Sequence, residues 1–430
     1  MDLAEEIDSH DFDYTAIMDI QSKKLKELLA YSYRYVPYYK HILKKTGVIM
    51  DNGEIYLDRF QEVPILNKEI LRSKYFELQS DIKDSERWIV NTSGGSTGEP
   101  VFFMQDEKFN KYMMAVKCRY ERWAGYRHGE PRLLLWGSPR DLTSSGIGIT
   151  GRLKRFMRNL TVCNTYTFDP LDVIERLNKH RPVLVEAYVE SIYETAVYLL
   201  RKSERVYQPK GIIVSAGTLH EHMEDTIKKA FPDSILLNRY GSREVGDVAC
   251  YCPEFGILHV SDETHVVEVL DDNGEILPPG EEGEIVITVL NNFVMPFIRY
   301  KIGDRGIISS KKCLCGRHSM VLEKITGRSN CHFLTPNGYK VNTAAITVTM
   351  YNYPWIKRYQ IVQESLTLIN VYFESSGIGT EDINKDTMDI KKKFRTFMGE
   401  DVEVKFVEVN EVPRLPSGKF VYFYSKVNQN

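Results

Sequence analysis

The chain has 430 residues, of which 43% are hydrophobic and 27% charged, a composition typical of globular proteins and long enough for two or three domains. Lys and Arg total 56 against 59 Asp and Glu, so the net charge of -3 provides no overall positive field for nucleic acid or an anionic membrane. The seven cysteines are too few for a disulfide scaffold, and their odd number argues against complete pairing.

The start of the chain gives no sign of export. Residues 1–8 are acidic and lack the basic start and apolar core of a signal peptide. No apolar run approaches the roughly 18–20 residues that cross a bilayer. We therefore expect a soluble, cytoplasmic protein that has neither nucleic acid nor a membrane as a partner.

The first three quarters of the chain indicate an α/β fold. Residues 1–75 form a helical lead-in, in which helical spacing of apolar residues is interrupted at Pro37. From Trp88 to about Gly246, short apolar runs alternate with helical stretches, as expected for buried parallel strands linked by helices. The apolar runs are 132–136, 183–187 and 211–215, and the helical stretches are 171–177 and 221–230.

The remaining chain indicates a β-rich subdomain followed by a small domain. Between residues 260 and 310, strand-like segments flank the turn sequence Asp272-Asn273-Gly274. Beyond Gly327 about a hundred residues remain, enough for a small α+β domain with a helix at 390–398. The predicted organisation is a large N-terminal domain, residues 1–327, with mixed and parallel sheets, and a small mobile C-terminal domain, residues 328–430.

A loop rich in Gly, Ser and Thr follows the apolar segment 88–90. Its glycines allow backbone N–H groups to converge on a phosphate, and the hydroxyls of Ser93, Ser96 and Thr97 add donors. The loop lacks the Gly-Lys-Ser/Thr ending of a Walker loop, which disfavours an unrelated nucleotide-binding kinase. Alone, such a loop is more often a plain turn than a phosphate site.

Four further motifs follow the loop in the order seen in one protein superfamily. The five motifs are residues 92–100, 240–244, 299–304, 327–328 and 413–419. In this order the chain resembles the adenylate-forming (acyl-AMP) ligase superfamily over nearly its whole length. Segments 35–39, 63–68 and 295–300 resemble the phenylacetate–CoA ligase-like branch, which includes relatives in capsular polysaccharide biosynthesis.

The resemblance implies a reaction in which a carboxylate attacks the α-phosphate of ATP. Catalysis would rest on Glu244 as the Mg²⁺ ligand, since a carboxylate suits that hard ion, and on Thr97 of the phosphate loop. Lys419 would neutralise the attacking carboxylate and the α-phosphate. The implied cofactors are ATP and Mg²⁺, and the implied partners are a small-molecule carboxylic acid and an acyl acceptor.

The same resemblance implies a set of nucleotide-binding residues. They are Ser93, Gly94, Gly95, Ser96, Thr97 and Gly98 at the phosphates, Ser215, Ala216, Gly217 and Tyr240 at the adenine, Gly241 and Ser242 in the turn after Tyr240, Asp304 at the ribose, and Arg328 at the ribose or phosphate. Taken singly, each has an ordinary interpretation as a core tyrosine, a turn residue or a solvated charge. Residues 186–191, interpreted as helical, and 236–239 are the candidate walls of the acid pocket.

The chain departs from the family pattern at three places. Two glycines precede Ser96 where many members have one, Val101 replaces a lysine found in several relatives, and Asn330 stands where an acidic hinge residue is usual. The adenylation motifs are present, but the change at the hinge leaves open whether the C-terminal domain rotates to a thioester-forming arrangement. The acceptor therefore stays open between CoA and other nucleophiles.

Four cysteine and histidine residues form a second constellation, at Cys252, His259, Cys313 and Cys315. Three thiolates and one imidazole suit a four-coordinate structural zinc ion, and Cys-x-Cys-Gly is a knuckle whose glycine permits a tight turn. Zinc-bearing relatives in this branch show a similar pattern. The alternative is free core cysteines, and Cys250 and His318 are alternative ligands.

The leading functional hypothesis is ATP-dependent conversion of a carboxylic acid to its acyl adenylate, followed by acyl transfer, with CoA as the first acceptor. An alternative is transfer to an amine or hydroxyl of a sugar in capsule biosynthesis. A hypothesis from another class is an inactive, zinc-stapled binding protein, but retention of Glu244, Asp304 and Lys419 argues against it. The sequence leaves a homodimer open.

Overall fold

The computed structural model of the chain describes residues 3–82, 87–93, 101–136, 157, 159–164, 169–328, 332–342, 350, 353, 355–375, 380–412 and 422–427. The chain divides into two units, Met1–Thr326 and Gly327–Asn430. Within the described ranges, no helix is both long and apolar enough to cross a membrane.

The helices of the described residues are α1 Leu3–Ser9, α2 Tyr14–Tyr35, α3 Pro37–Lys45, α4 Lys68–Ser73, α5 Glu107–Trp123, α6 Pro170–His180, α7 Val189–Lys202, α8 Glu221–Ala230 and α9 Thr380–Met398, with a 3₁₀ turn at Leu57–Glu62. Pro37 interrupts the first helical stretch as predicted, because it occupies the first position of α3, where its missing N–H costs nothing. Asp13 caps the start of α2 by accepting a hydrogen bond from the Ala16 N–H.

The strands are β1 Trp88–Thr92, β2 Phe102–Asp106, β3 Arg132–Trp136, β4 Leu160–Asn164, β5 Leu184–Tyr188, β6 Gly211–Ser215, β7 Ile235–Ser242, β8 Gly246–Tyr251, β9 Leu258–Val260, β10 His265–Leu270, β11 Glu282–Val289, β12 Tyr300–Ile308, β13 Val321–Arg328, β14 His332–Leu334, β15 Lys340–Asn342, β16 Ile356–Ser365, β17 Leu368–Ser375, β18 Glu403–Glu408 and β19 Phe423–Ser425.

One large mixed sheet dominates the first unit. Its strand order is β10-β11-β12-β13-β9-β8-β7-β6-β5-β3-β4, and the run from β7 through β4 is parallel. The apolar runs predicted as buried strands are β3, β5 and β6, and β5 is buried at every position. Because neighbouring parallel strands end at the same edge, the carboxyl ends of β3, β5, β6 and β7 lie together, where α/β sheets usually bind ligands.

The second unit has a four-stranded sheet of order β18-β17-β16-β19 and the helix α9. Ile390, Phe394 and Met398 of α9 are buried in one core with strand residues such as Val371. The helix begins ten residues before the predicted segment 390–398, because its first half is polar and shows no apolar periodicity. The predicted α/β class, with a mixed sheet and a small α+β domain, is confirmed.

Candidate active site

The predicted phosphate loop connects the two strands of the β1–β2 hairpin. Ser93 and Val101, at the two ends of the loop, are joined by two hydrogen bonds. The Ser93 N–H donates to the Val101 carbonyl, and the Ser93 hydroxyl accepts from the Val101 N–H, both at 2.9 Å. A serine here thus makes two bonds to one residue and fixes where the loop leaves the sheet. Gly94, Gly95, Ser96, Thr97 and Gly98 lie outside the described residues.

The predicted adenine segment begins at the carboxyl end of β6. Ser215 is the last residue of β6, and Ala216 adopts the left-handed φ of 66° that turns the chain. A Cβ on Gly217 would lie 2.6 Å from Oε1 of Glu190, so glycine allows a buried carboxylate at the start of α7 to approach the backbone. The structure therefore places this segment at the ligand-binding edge of the parallel sheet.

Tyr240, Gly241 and Ser242 form the end of β7, next to β6. A Cβ on Gly241 would lie 2.1 Å from the carbonyl oxygen of Gly246, because a bulge brings β7 and β8 close together. The Ser242 hydroxyl is buried and has no hydrogen-bond partner among the described residues. A buried hydroxyl is rarely left unpaired in a folded protein, so this atom suits a hydrogen bond to a bound nucleotide.

Glu244 lies in the turn between β7 and β8 and is 7% exposed. Within the described part of the chain, no side chain or backbone N–H bonds to its carboxylate. A buried carboxylate is costly unless a cation or donor compensates its charge. The environment of Glu244 therefore fits the predicted Mg²⁺ ligand.

Tyr240 contacts the predicted ribose-binding residue. Its hydroxyl donates a hydrogen bond to Oδ2 of Asp304 on β12, at 3.1 Å. The structure thus brings the two residues together, and the hydrogen bond from Tyr240 orients the Asp304 carboxylate. Arg328 is the last residue of β13, but its side chain lies outside the described residues, as does all of Lys419.

Replacing Tyr240 by Phe keeps the ring and removes the hydrogen bond to Asp304. Because a hydrogen bond to a charged group contributes about 1.5–3 kcal/mol, we expect ATP to bind at least about tenfold more weakly. Calorimetric titration with ATP would measure this change. An unchanged dissociation constant would mean that Asp304 needs no orientation by Tyr240.

Sequence reasoning missed Gln105, which joins two segments of this site. On β2, its Oε1 accepts from the Asn91 side chain at 3.3 Å, and its Nε2 donates to the Arg243 carbonyl at 2.7 Å. In the sequence, Gln105 is visible as a single amide residue after the apolar residues 101–104. Its burial, 3% exposed, and its partner in a distant turn could not be deduced from that signal.

The helical interpretation of residues 186–188 is corrected by the structure, whereas the wall of the acid pocket at residues 186–191 stays a prediction. Residues 186–188 are the last three residues of the buried strand β5, which begins at Leu184. The helix α7 begins only at Val189. Glu186 lies in a buried ion cluster with Arg132, with Lys117 at 3.1 Å and with Arg239 at 3.1 Å. Burial alone would raise the pKa of Glu186, but these three cations hold it well below its usual range.

The four predicted zinc ligands meet in space. Cys252, His259, Cys313 and Cys315 offer ligand atoms that all lie within 4.8 Å of one another. Ligands about 2.3 Å from a shared zinc ion would stand about 3.8 Å apart, so a small contraction would complete the shell. The alternatives Cys250 and His318 are not in this group. Cys250 lies on β8 opposite His259 and packs in a neighbouring hydrophobic cluster.

The surroundings of His259 orient it as a metal ligand. Its Nε2 lies 3.4 Å from Cys315 Sγ, and its Nδ1 lies 2.8 Å from the Ser319 hydroxyl. Burial, reinforced by Arg317 and Arg119, lowers the pKa of His259 to about 4, so the ring is neutral at pH 7. With Nε2 on a metal, Nδ1–H would donate to Ser319, a typical outer-shell bond.

The pKa values of the Cys313 and Cys315 thiols are shifted in opposite directions. Burial raises the pKa of Cys313 to about 12. For Cys315, burial acts in the same direction, but hydrogen bonds from Arg317 and neighbouring thiols lower its pKa below the usual value. A metal ion would have to displace the Cys313 proton, as structural zinc does when it binds.

Asp11 connects the N-terminal segment to the knuckle, residues 313–318. Its carbonyl accepts from the His318 N–H at 2.9 Å, and its carboxylate lies 2.7 Å from Arg119 and 3.4 Å from Arg317. The Arg317 guanidinium also lies over the ring of Phe12. These contacts fix the residues just after α1 to the knuckle, within the same unit of the chain.

Comparisons with known proteins give relatives of the whole chain. The family described as the CapK C-terminal domain matches residues 333–426. The chain is 25% identical to Protein CapK of Staphylococcus aureus over 418 residues, which cover 94% of this chain and 88% of that protein. It is also 25% identical to a phenylacetate-coenzyme A ligase of Thermus thermophilus over 429 residues, which cover 93% and 94% of the two chains.

A solved structure shares the fold. The crystal structure of 2-hydroxyisobutyryl-CoA ligase in its postadenylation state superimposes with a TM-score of 0.74, covering 95% of this chain and 89% of that chain at 17% identity. The chain is thus similar over nearly its whole length to CapK and to phenylacetate-CoA ligases. It shares the fold of an adenylate-forming CoA ligase.

Proposed function

We propose that the chain is an ATP-dependent, AMP-forming ligase that activates a small carboxylic acid as its acyl adenylate and transfers the acyl group to an acceptor. The observation that carries the proposal is the arrangement of Tyr240, Ser242 and Glu244 at the end of β7, with Asp304 hydrogen-bonded to Tyr240. Each of these side chains has a distinct task toward a nucleotide, and one strand end brings them together.

The roles of the residues follow from their chemistry. Tyr240 offers a ring face to the adenine, Asp304 accepts hydrogen bonds from ribose hydroxyls, and the buried Ser242 hydroxyl gains a partner. Glu244 would hold Mg²⁺ next to the phosphates, where the ion offsets charge that would repel the incoming carboxylate. When bound, ATP supplies the α-phosphorus that the substrate carboxylate attacks, and pyrophosphate leaves.

For the second step we propose the CoA thiol as acceptor. The phenylacetate-coenzyme A ligase relative spans almost the whole chain, which supports this choice over an amine or hydroxyl of a sugar. Thiolate attack on the acyl carbonyl would form the thioester and release AMP. A glucosamine-type amine and CoA, supplied separately with the activated acid, would distinguish the two acceptors.

For the cluster of Cys252, His259, Cys313 and Cys315 we propose a structural zinc ion. The donor set is the one that zinc prefers, four ligands leave no open position for substrate, and Ser319 supplies the outer-shell partner of His259. Thiolate ligands also suit the reducing cytoplasm, where we place the protein.

A screen of acid-dependent exchange of labelled pyrophosphate into ATP tests the adenylation proposal. The panel would cover aryl, aliphatic, hydroxy and amino acids, each with ATP and Mg²⁺. Exchange that depends on one acid class is expected and would name the substrate. Tight ATP binding without exchange for any acid would instead support the inactive binding protein.

Glu244→Gln should raise the Mg²⁺ requirement of this exchange. Removing one ligand charge weakens the metal before it abolishes turnover, so we expect the half-saturating Mg²⁺ concentration to rise about tenfold. The matched control is Glu284→Gln, since Glu284 on β11 has the same 7% exposure and pairs with Lys301. Unchanged Mg²⁺ dependence in Glu244→Gln would exclude Glu244 as the ligand.

A further inference from the structure

The turn that carries Glu244 is held at the carbonyl groups on both sides of that residue. Arg243, Glu244 and Val245 connect the end of β7 to the start of β8. The Arg243 carbonyl accepts a hydrogen bond from Nε2 of Gln105 at 2.7 Å. The Val245 carbonyl lies 2.8 Å from Nε2 of His265, the first residue of β10. Side chains from two other strands thus fix the main chain just before and just after Glu244.

His265 has the tautomer that its contact with Val245 requires. Because a carbonyl oxygen only accepts, Nε2 of His265 must carry the hydrogen. Its Nδ1 lies 2.8 Å from the Thr264 hydroxyl, which also lies 2.9 Å from the Ser261 carbonyl. That carbonyl already accepts from the N–H groups of Thr264 and His265, both at 3.0 Å. The one hydrogen of the hydroxyl is therefore available to Nδ1, and Thr264 fixes the ring with Nε2–H towards Val245.

Burial keeps the ring of His265 neutral. The side chain is fully buried, and burial lowers the pKa of His265 to about 4, although its hydrogen bonds to the Val245 and Ser261 carbonyls act in the opposite direction. At pH 7 the ring therefore has one hydrogen, on Nε2, and one lone pair, on Nδ1. This form donates to Val245 and accepts from Thr264 at the same time.

Packing alone gives no reason for histidine at this position. Alternate residues of a strand share one face, and on this face of β10 His265 is followed by Val267 and Val269, both buried in the apolar core. A third aliphatic residue would extend that core without the cost of burying an imidazole. It would also leave the Val245 carbonyl without its donor, so the turn, rather than the core, explains the histidine.

The Glu244 carboxylate depends on this support. It is 7% exposed, and in the part of the chain that the structure describes no donor group bonds to it. Its direction is therefore set by the main chain of the turn and not by bonds of its own. Mg²⁺ demands near-ideal octahedral geometry, so a carboxylate ligand must point accurately at the ion.

We propose that His265 is a positioning residue for magnesium binding, because its bond to the Val245 carbonyl fixes the direction of the Glu244 carboxylate. A ligand that is oriented in advance loses less conformational freedom when it binds the ion, so Mg²⁺ binds more tightly. This inference rests on the proposed function, in which Glu244 is the Mg²⁺ ligand, and adds a residue that acts through Glu244.

The test compares ATP affinity with and without Mg²⁺. Calorimetric titrations with ATP, in excess Mg²⁺ and in Mg²⁺-free buffer, give the factor by which Mg²⁺ tightens ATP binding. The side chain in His265→Asn is too short to reach the Val245 carbonyl. We expect the factor to fall about fivefold, somewhat less than on loss of a partner bonded directly to a metal ligand. A general loss of stability would weaken binding in both conditions and leave the factor unchanged.

His265→Gln is the matched variant. The amide nitrogen of glutamine reaches the position of Nε2, whereas that of asparagine reaches only the position of Nδ1, so only glutamine keeps the donor to Val245. Both variants replace a buried imidazole by an amide and share the loss of packing. We expect His265→Gln to keep most of the wild-type factor. Equal falls in the two variants would show that the bond to Val245 is not what matters.

Gln21→Met controls for loosening of the segment around His265. Gln21 of α2 donates from Nε2 to the carbonyls of Asp262 and His265, at 3.1 and 2.8 Å. Its loss would loosen the start of β10 but leave the bond to Val245, so we expect the wild-type factor. If the His265 variants fold poorly, Thr264→Val removes the hydrogen bond to Nδ1 with nearly the same side-chain shape and should lower the factor by a smaller amount.

A double variant separates the inference from the proposed function. With Glu244→Gln already present, His265→Asn should lower the Mg²⁺ factor no further, because its effect acts through Glu244. A wild-type factor in His265→Asn, or in Thr264→Val where the His265 variants do not fold, would overturn this inference and leave the proposed function intact, as would additive losses in the double variant. Failure of the wild-type chain to bind ATP would overturn both.

Discussion

Lys419→Ala should slow acyl-adenylate formation by about 10²–10³-fold, the scale known for loss of one preorganised charge donor. The proposed role of this ammonium is to neutralise the attacking carboxylate and the α-phosphate, two anions that repel each other. Pro416-Ser417-Gly418 around it is a turn sequence, so we expect little change in the free energy of unfolding. The variant should therefore be folded and able to bind ATP but defective in chemistry.

Two assays separate the half-reactions for this variant. Pyrophosphate exchange with acid and ATP reports adenylation, and product formation from a synthetic acyl adenylate reports transfer. Because Lys419 belongs to the small domain, its role should be confined to the domain arrangement that serves adenylation, and only the first assay should show the large loss. Lys405→Ala, another lysine of that unit, is the control. Equal losses in both assays would refute the half-reaction assignment.

Removal of the proposed zinc ion should destabilise the large domain. Protein purified without added zinc should contain about one zinc per chain, because four-ligand structural sites bind tightly. If the free zinc concentration is about a thousandfold above the dissociation constant, loss of the metal lowers the free energy of unfolding by about 4 kcal/mol. We expect Cys315→Ala to lose both the metal and this stability, measured by metal analysis and by denaturant unfolding.

Cys250→Ala is the matched control for that experiment. Cys250 is a buried thiol two residues before Cys252, but it is not in the ligand cluster. It should keep the zinc and most of the stability. Asp11 hydrogen-bonds to the knuckle, so loss of zinc should also expose residues near Asp13 to a protease. A wild-type chain that contains no zinc and has the same free energy of unfolding with and without added zinc would contradict the zinc proposal.

The sequence predicted those parts of the molecule that depend on local pattern. The apolar runs form β3, β5 and β6. The residue types of Cys252, His259, Cys313 and Cys315 predicted a zinc-ligand set, but the sequence left open whether its two halves meet, and the structure brings them together. The helix α8, Glu221–Ala230, matches its predicted bounds because its apolar residues recur at helical spacing.

The sequence did not predict contacts between distant segments. The hydrogen bond from Gln105 to Arg243, and that from Tyr240 to Asp304, join strands whose adjacency depends on the order of the whole sheet. The helical interpretation of residues 186–188 was wrong because a short buried run is compatible with a helix or a strand. The ion cluster around Glu186 became visible only once β3, β5 and β7 were placed together.

The most direct test of acyl-adenylate formation follows one oxygen atom. An acid found active in the exchange screen would be labelled with ¹⁸O in its carboxylate and converted to product with ATP and Mg²⁺. If the carboxylate attacks the α-phosphorus, one labelled oxygen must remain on that phosphorus when the acyl group leaves, so mass spectrometry should find ¹⁸O in AMP. Label in inorganic phosphate with formation of ADP, or AMP free of label, would contradict the proposed reaction.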